Sequence, residues 1–191
     1  GLRTHRQVVQ LVAQNPDADW RHDVFPVDLA TVEAQLATVL QGIGVHAAKT
    51  GMLATRELIA LVAKTVRRYN IPDLVVDPVM ACKGASTPLN PEVADALRDE
   101  LMPLSTVVTP NLFEAGIMAG KGPLTSVADM EEAARRLCKA GARTVLVKGG
   151  SKLAGATTAI DVVCTGTSVA RLESELVAGA YTHGAGCTIS A

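Results

Sequence analysis

Short runs of aliphatic, mostly β-branched residues return along this chain at intervals too long for a hairpin and long enough for a helix. DLVVDPV (73–79), STVVTP (105–110) and RTVLVKGG (143–150) are such runs, and each breaks at Pro or Gly. Between them, apolar residues recur every three or four positions, as on one face of a helix. A strand that reads as an unbroken apolar run is buried on both sides, as parallel sheets require. Neighbouring parallel strands also need a crossover of a dozen or more residues. The alternation therefore predicts an α/β fold with a mostly parallel central sheet covered by helices.

The remaining elements follow from the same signals. Residues 7–13 and 46–49 read as strands and 15–26 as a loop. A helix is expected over 28–41 with Asp28 as N-cap, and another over 55–69 capped by Thr55 and supported by Glu57. Residues 74–79 read as a buried strand, with Pro78 marking where its ladder stops. Pro91 sits at the first position of a helix, residues 106–109 and 144–148 are strands, and helices start at Asn111 and over 126–140. Residues 159–164 and 168–173 read as a hairpin turning at Gly166.

Composition excludes several classes. With 191 residues, 48% hydrophobic and a net charge of −1, the chain is expected to form one domain over 1–191 with a sizeable core. No apolar run approaches the roughly 20 residues of a membrane span, and no basic patch suits a nucleic-acid backbone. Cys82, Cys138, Cys164 and Cys187 show no C-x-x-C pair or zinc spacing, which predicts free thiols and a cytoplasmic setting. The opening GLRTHRQVVQ lacks the order of a secretory signal.

Ligands of open α/β sheets bind beyond the carboxyl ends of the strands, so the polar residues just after each apolar run are the candidates. Gly184, Ala185 and Gly186 would leave main-chain amides bare at a helix start, an anion cradle. The same place would lower the pKa of Cys187 and ready it as base or nucleophile; a buried cysteine beside a tight turn is the plainer alternative. Asn111 and Glu114 form a capping-box pattern, or else an amide and a carboxylate facing a metal–phosphate group; Asp77 could share the same Mg²⁺ or be only a turn residue. Lys148 before Gly149 and Gly150 suits a polyphosphate, or is a solvated strand-end lysine. Residues 81–86, with Cys82, read as a loop placed to act as a lid. His183 beside Cys187 raises a thiol hydrolase as a further alternative.

The ordered set KTGML (49–53), DPVMACKG (77–84), TPNLFEA (109–115), VKGG (147–150) and THGAGCTISA (182–191) resembles the hydroxymethylpyrimidine/pyridoxal kinase branch of the ribokinase-like family. Within that branch, the pairing of Cys82 with Cys187 is similar to the dual-cysteine pyridoxal kinases. The resemblance implies a ribokinase-like three-layer α/β/α fold and an ATP- and Mg²⁺-dependent kinase acting on the hydroxymethyl group of pyridoxal or pyridoxine. It implies Cys187 as base, the amides of Gly184, Ala185, Gly186 and Cys187 on the transferring phosphoryl, and Cys82 as the thiol that captures a pyridoxal aldehyde. It also implies Asn111, Glu114, Lys148, Gly150 and Thr182 at the nucleotide, Asp77 and Glu114 at the metal, and Gln14, Met52 and Val79 around the substrate ring.

A homodimer is implied as well. The alternatives are a hydroxymethylpyrimidine/phosphomethylpyrimidine kinase, a sugar kinase of the same fold, and a catalytically silent ligand-binding relative. Cys82 favours pyridoxal, because a pyrimidine alcohol has no aldehyde for a thiol to attack. Against the resemblance, the sequence is expected to be truncated at both ends, lacking a substrate loop before Gly1 and helices after Ala191.

Overall fold

A computed structural model of the chain describes residues 4–15, 21–42, 44–80, 91–150, 152–153, 157–176 and 189–190. Strands β1 (Gln10–Asn15) and β2 (Arg21–Pro26) form an antiparallel two-stranded hairpin, with Leu11 opposite Phe25 and Val12 opposite Val24. Residues 21–26 are therefore a strand, where the sequence reads as loop. RHDVFP is polar at one end and closed by proline, so only its partner strand makes it extended. The hairpin is fastened to helix α1 (Leu29–Gly42): Gln35 accepts from the Val8 amide at 3.1 Å and donates to the Val8 carbonyl at 3.0 Å.

The central sheet has six strands whose spatial order follows the chain: β3 (Ala47–Thr50), β4 (Asp73–Val76), β5 (Val107–Val108), β6 (Thr144–Lys148), β7 (Thr158–Thr165) and β8 (Ser168–Glu175). The first four are parallel, and β7 and β8 add an antiparallel hairpin through Gly166. Strand β4 ends at Val76, three residues short of the run read from sequence. Beyond it the chain leaves the ladder while the Asp77 amide still donates to the Thr50 carbonyl at 3.1 Å. The architecture is the expected α/β fold with a mostly parallel sheet.

Crossovers between neighbouring parallel strands are right-handed. They carry helices α2 (Arg56–Arg68), α3 (Pro91–Ala96), α4 (Leu112–Met118) and α5 (Val127–Lys139) in succession onto one face, where each packs on the next. Leu74, Val76, Val108, Val145, Val147, Val162 and Cys164 point to that face and are wholly buried. Met130, Ala133, Ala134 and Leu137 of α5 and Ile59 and Ala63 of α2 are buried as well. Alternation turns Val75, Val107, Leu146 and Val163 to the other face, which is half-buried among the described residues.

Helix starts are where the sequence places them. Asp28 accepts from the Thr31 amide at 2.9 Å, Thr55 accepts from the Leu58 amide, and Ser126 with Asp129 forms a capping box. One helical glycine has a packing reason: after α4 the chain folds back so that Gly122 O would lie 2.1 Å from a Cβ on Gly116. In an ordinary helix, Gly to Ala stabilises by about 0.5–1 kcal/mol. Here Gly116→Ala must push main chain aside, and urea unfolding is expected to show a loss of roughly 1–3 kcal/mol. An unchanged or higher midpoint would mean that the 120–122 turn yields freely.

Candidate functional site

Four parallel strands end side by side, so the residues that follow them share one edge. From β3 comes Lys49, from β4 Asp77, from β5 Thr109 and Asn111, and from β6 Lys148. Asp77 is the centre. Its side chain is 3% exposed, yet it carries a carboxylate. Lys148 Nζ donates to Oδ1 at 3.1 Å, Ser190 Oγ donates to Oδ2 at 3.1 Å, and Lys49 Nζ stands 4.0 Å from Oδ2. Lys148 is itself nearly buried. Taking such a pair out of water costs several kcal/mol per ion, recovered only with good geometry and further hydrogen bonds. The Ser190 hydroxyl supplies one of these.

Glu114 forms the second part of the edge. Asn111 caps α4 by accepting from the Glu114 amide at 3.0 Å, and Glu114 Oε2 accepts from the Asn111 amide at 2.8 Å. The capping box read from sequence is present. Glu114 also reaches back to the strand β4 extension, where Oε1 accepts from the Met80 amide at 3.4 Å. Burial pushes its carboxyl pKa up to about 7; the amides of Asn111 and Met80 and the charge of Lys148 pull it down, while that of Asp77 adds to the rise. Among the described residues both donors to this carboxylate are main-chain amides, so it has no hydrogen-bonded counter-charge there.

Mg²⁺ keeps several waters and takes one or two carboxylates together with substrate phosphates; Glu114 and Asp77 are two carboxylates at this edge. Among the described residues no group of three or more His, Cys, Asp or Glu could cage a metal by protein alone. Two further hydroxyls sit at the same strand ends: Thr50 Oγ1 and Thr109 Oγ1 are buried with no partner among the described residues. Such groups cost about 1–3 kcal/mol when left unmade.

The glycines after Lys148 have partners within the protein. The amides of Gly149 and Gly150 donate to Asp161 Oδ1 at 2.9 and 3.0 Å. The close approach at Gly149 is protein against protein, since a Cβ there would lie 2.2 Å from Ile160 O. Asp161, a lone acid in the run AIDVVCT, was the available signal and carries no local motif.

Of the other candidates, Met52 and Val79 follow β3 and β4 at this edge and are half-buried, and the Val79 amide donates to the Asp77 carbonyl at 2.9 Å. Gln14 lies on β1, in the separate two-stranded sheet. Cys82, Thr182, Gly184, Ala185, Gly186 and Cys187 lie outside the described residues. Cys138, half-buried at the end of α5, donates to the Cys164 carbonyl at 3.3 Å, and burial pushes its thiol up to about 12. It is a packed, inert thiol.

Comparison with known proteins places the chain among relatives. A family model described as phosphomethylpyrimidine kinase matches residues 2–191. The chain is 51% identical over 181 residues to the pyridoxine kinase of Bacillus subtilis (strain 168), covering 95% of this chain and 66% of that protein. It is 40% identical over 168 residues to a hydroxymethylpyrimidine/phosphomethylpyrimidine kinase of Rhizobium meliloti (strain 1021), covering 88% and 62%. Its fold superposes on an ADP complex of Bacillus subtilis pyridoxal kinase with a TM-score of 0.89 at 50% identity, covering 96% of this chain and 68% of the other. The chain thus spans about two thirds of the length of these proteins.

The raised pKa of Glu114 has a measurable consequence. An acid whose folded pKa exceeds its unfolded value binds protons more tightly when folded. Its contribution to stability is complete below about pH 4.5 and is lost as pH rises to about 7. Relative to the wild type, Glu114→Gln is therefore expected to gain up to about 3 kcal/mol as pH rises between those limits and to keep that gain above them. Urea titrations from pH 4.5 to 8 read this directly; parallel curves for the two proteins would show that Glu114 titrates normally.

Proposed function

The chain belongs to the phosphomethylpyrimidine kinase family, and we propose that the full-length protein is an ATP-dependent kinase. Its substrate in this reading is the 5′-hydroxymethyl group of pyridoxal or pyridoxine. The observation that carries the reading is the hydrogen bond from Ser190 to Asp77. Ser190 stands three positions after Cys187 in the sequence and lies against the strand-end charges.

Each residue then has a task. Cys187 accepts the proton from the hydroxymethyl oxygen as that oxygen bonds the γ-phosphorus and the bridging bond to ADP breaks. An ammonium has three N–H donors, so Lys148 can keep Asp77 and still meet a phosphate oxygen. Asp77 and Glu114 would hold a Mg²⁺ ion, which when bound neutralises charge on the β- and γ-phosphates. Asn111, Gly150 and Thr182 are assigned to the nucleotide. The bare amides of Gly184, Ala185, Gly186 and Cys187 stabilise the transferring phosphoryl. Gln14, Met52 and Val79 surround the ring. Cys82 adds to a pyridoxal aldehyde, forming one S–C bond and passing its proton to the new hydroxyl. The protein in this reading is a cytoplasmic homodimer; no helix among the described residues is long and apolar enough to cross a membrane.

A second reading is supported by the family's own description and by the Rhizobium relative: hydroxymethylpyrimidine and its monophosphate as substrates. Steady-state phosphorylation with pyridoxal, pyridoxine and hydroxymethylpyrimidine side by side separates the two. Cys187→Ala is expected to lose about 10²- to 10⁴-fold in kcat on every substrate, as removal of a general base does. Cys82→Ala is expected to lower kcat/KM for pyridoxal selectively and to spare the two substrates without an aldehyde. Equal losses on all three would remove the reason for preferring pyridoxal.

A further inference from the structure

Asp161 has no task in the chemistry above, yet it is the one acid of β7 and stands opposite Lys148 in the ladder. We propose that Asp161 is a positioning residue: by binding the two amides that follow Lys148, its carboxylate fixes where that lysine leaves β6 and so where the ammonium meets a phosphate oxygen. The inference rests on the reading of Lys148 as a phosphate-binding residue.

The amides of Gly149 and Gly150 converge on a single oxygen, Asp161 Oδ1, at 2.9 and 3.0 Å. Successive amides turned to one point hold an anion, and a charged acceptor makes each bond roughly twice as strong as a neutral one does. The carbonyls of the same residues are taken too: that of Gly149 accepts from the Lys152 amide at 3.1 Å and that of Gly150 from the Ile160 amide at 3.3 Å. Every main-chain polar group of the two glycines thus has a partner, and both amides end on one side chain. That side chain is mounted on a core strand, since its neighbour Val162 is wholly buried.

Lys148 is held on its other side as well. Its amide donates to the Pro110 carbonyl at 2.8 Å, and its ammonium donates to Asp77 Oδ1 at 3.1 Å. The lysine main chain is therefore tied to the end of β5 through its own amide and to Asp161 through the next two. Without the carboxylate, the two amides lose their acceptor and the side-chain root loses one of its two anchors.

Phosphoryl transfer depends chiefly on alignment, and a misplacement near 1 Å can cost about a hundredfold. The test uses the full-length protein with ATP and with pyridoxal, pyridoxine and hydroxymethylpyrimidine as acceptors. It compares Asp161→Ala, Asp161→Asn, Lys148→Met, the Asp161→Ala/Lys148→Met pair and Thr165→Val. Asp161→Ala is expected to lower kcat by about ten- to a hundredfold, by the same factor on each acceptor that is turned over and with KM for the alcohol unchanged. Asp161→Asn keeps an oxygen that accepts both amides, and is expected to recover most of the loss. In the Lys148→Met background Asp161→Ala should add little, since the two act as one unit. Thr165→Val removes the 3.1 Å bond to Thr144 at the far end of the same strand pair, and so weakens the hairpin without touching the clamp. Its kcat is expected to match the wild type.

Hydrogen exchange of the Gly149 and Gly150 amides, read by NMR under native conditions, follows the clamp without turnover. Exchange is expected to quicken by about tenfold or more in Asp161→Ala and to return toward the wild-type rate in Asp161→Asn. Wild-type kcat in Asp161→Ala, an Asn variant as impaired as the Ala variant, losses that multiply in the pair, an equal loss in Thr165→Val, or unchanged exchange would each overturn the proposal. Failure of the underlying reading looks different: Lys148→Met then keeps wild-type kcat, or no acceptor is turned over by the unaltered protein, and the proposal falls with it. An impaired Lys148→Met beside an unimpaired Asp161→Ala sinks the role of Asp161 alone.

Discussion

A buried carboxylate holds the functional edge of this molecule together. Asp77 leaves β4 where the ladder ends and takes Lys148 from the end of β6 and Ser190 from far along the chain. Three segments, distant in sequence, are thereby fixed to one another at the side of the sheet where α/β proteins bind ligands. Glu114 makes a parallel connection, tying the first turn of α4 to the chain that leaves β4 through the Met80 amide. The two carboxylates share a short stretch of backbone, residues 77–80, and each raises the electrostatic cost of the other.

Stability alone gives a poor account of such an arrangement. A buried ion pair is often matched or bettered by apolar residues of similar volume, while breaking one side of it costs about 3–5 kcal/mol. The sheet face beneath α2 to α5 shows that the chain can build a wholly apolar core from Val76, Val108, Val145 and Leu137. Lys148, Asp77 and Glu114 nevertheless gather at the strand ends, beside two hydroxyls with no partner among the described residues. In the function proposed above, a polyanion with its cation completes this set of charges and donors.

Much of the fold was legible because local rules and global topology agreed. Thr55, Asn111 and Ser126 are caps by residue type and spacing, and the runs 106–109 and 144–148 are strands by their β-branched content. Strand β2 escaped because RHDVFP has neither alternation nor an apolar run, and its extended form comes from pairing with β1. The early end of β4 escaped because Leu74 to Val79 is apolar throughout except for Asp77, the residue that turns aside to meet Lys148 and Ser190. Asn111, Glu114, Lys148 and Asp77 were found as strand-end polar residues, and they do lie along one edge. Ser190 and Asp161 were missed for a single reason: each matters through a partner that no sequence spacing reveals.

The two glycines after Lys148 have reasons within the fold: Gly149 is required by Ile160 and Met130, and Gly150 by its left-handed φ of 51°. Asp161 takes both amides, and its own strand is hydrogen-bonded to β6 opposite Lys148. Thus the antiparallel hairpin β7–β8 does more than extend the sheet. It clamps the loop that follows Lys148, and so fixes where that lysine leaves the sheet and meets Asp77. The electrostatic centre of the edge depends, one step removed, on the hairpin that supplies Asp161.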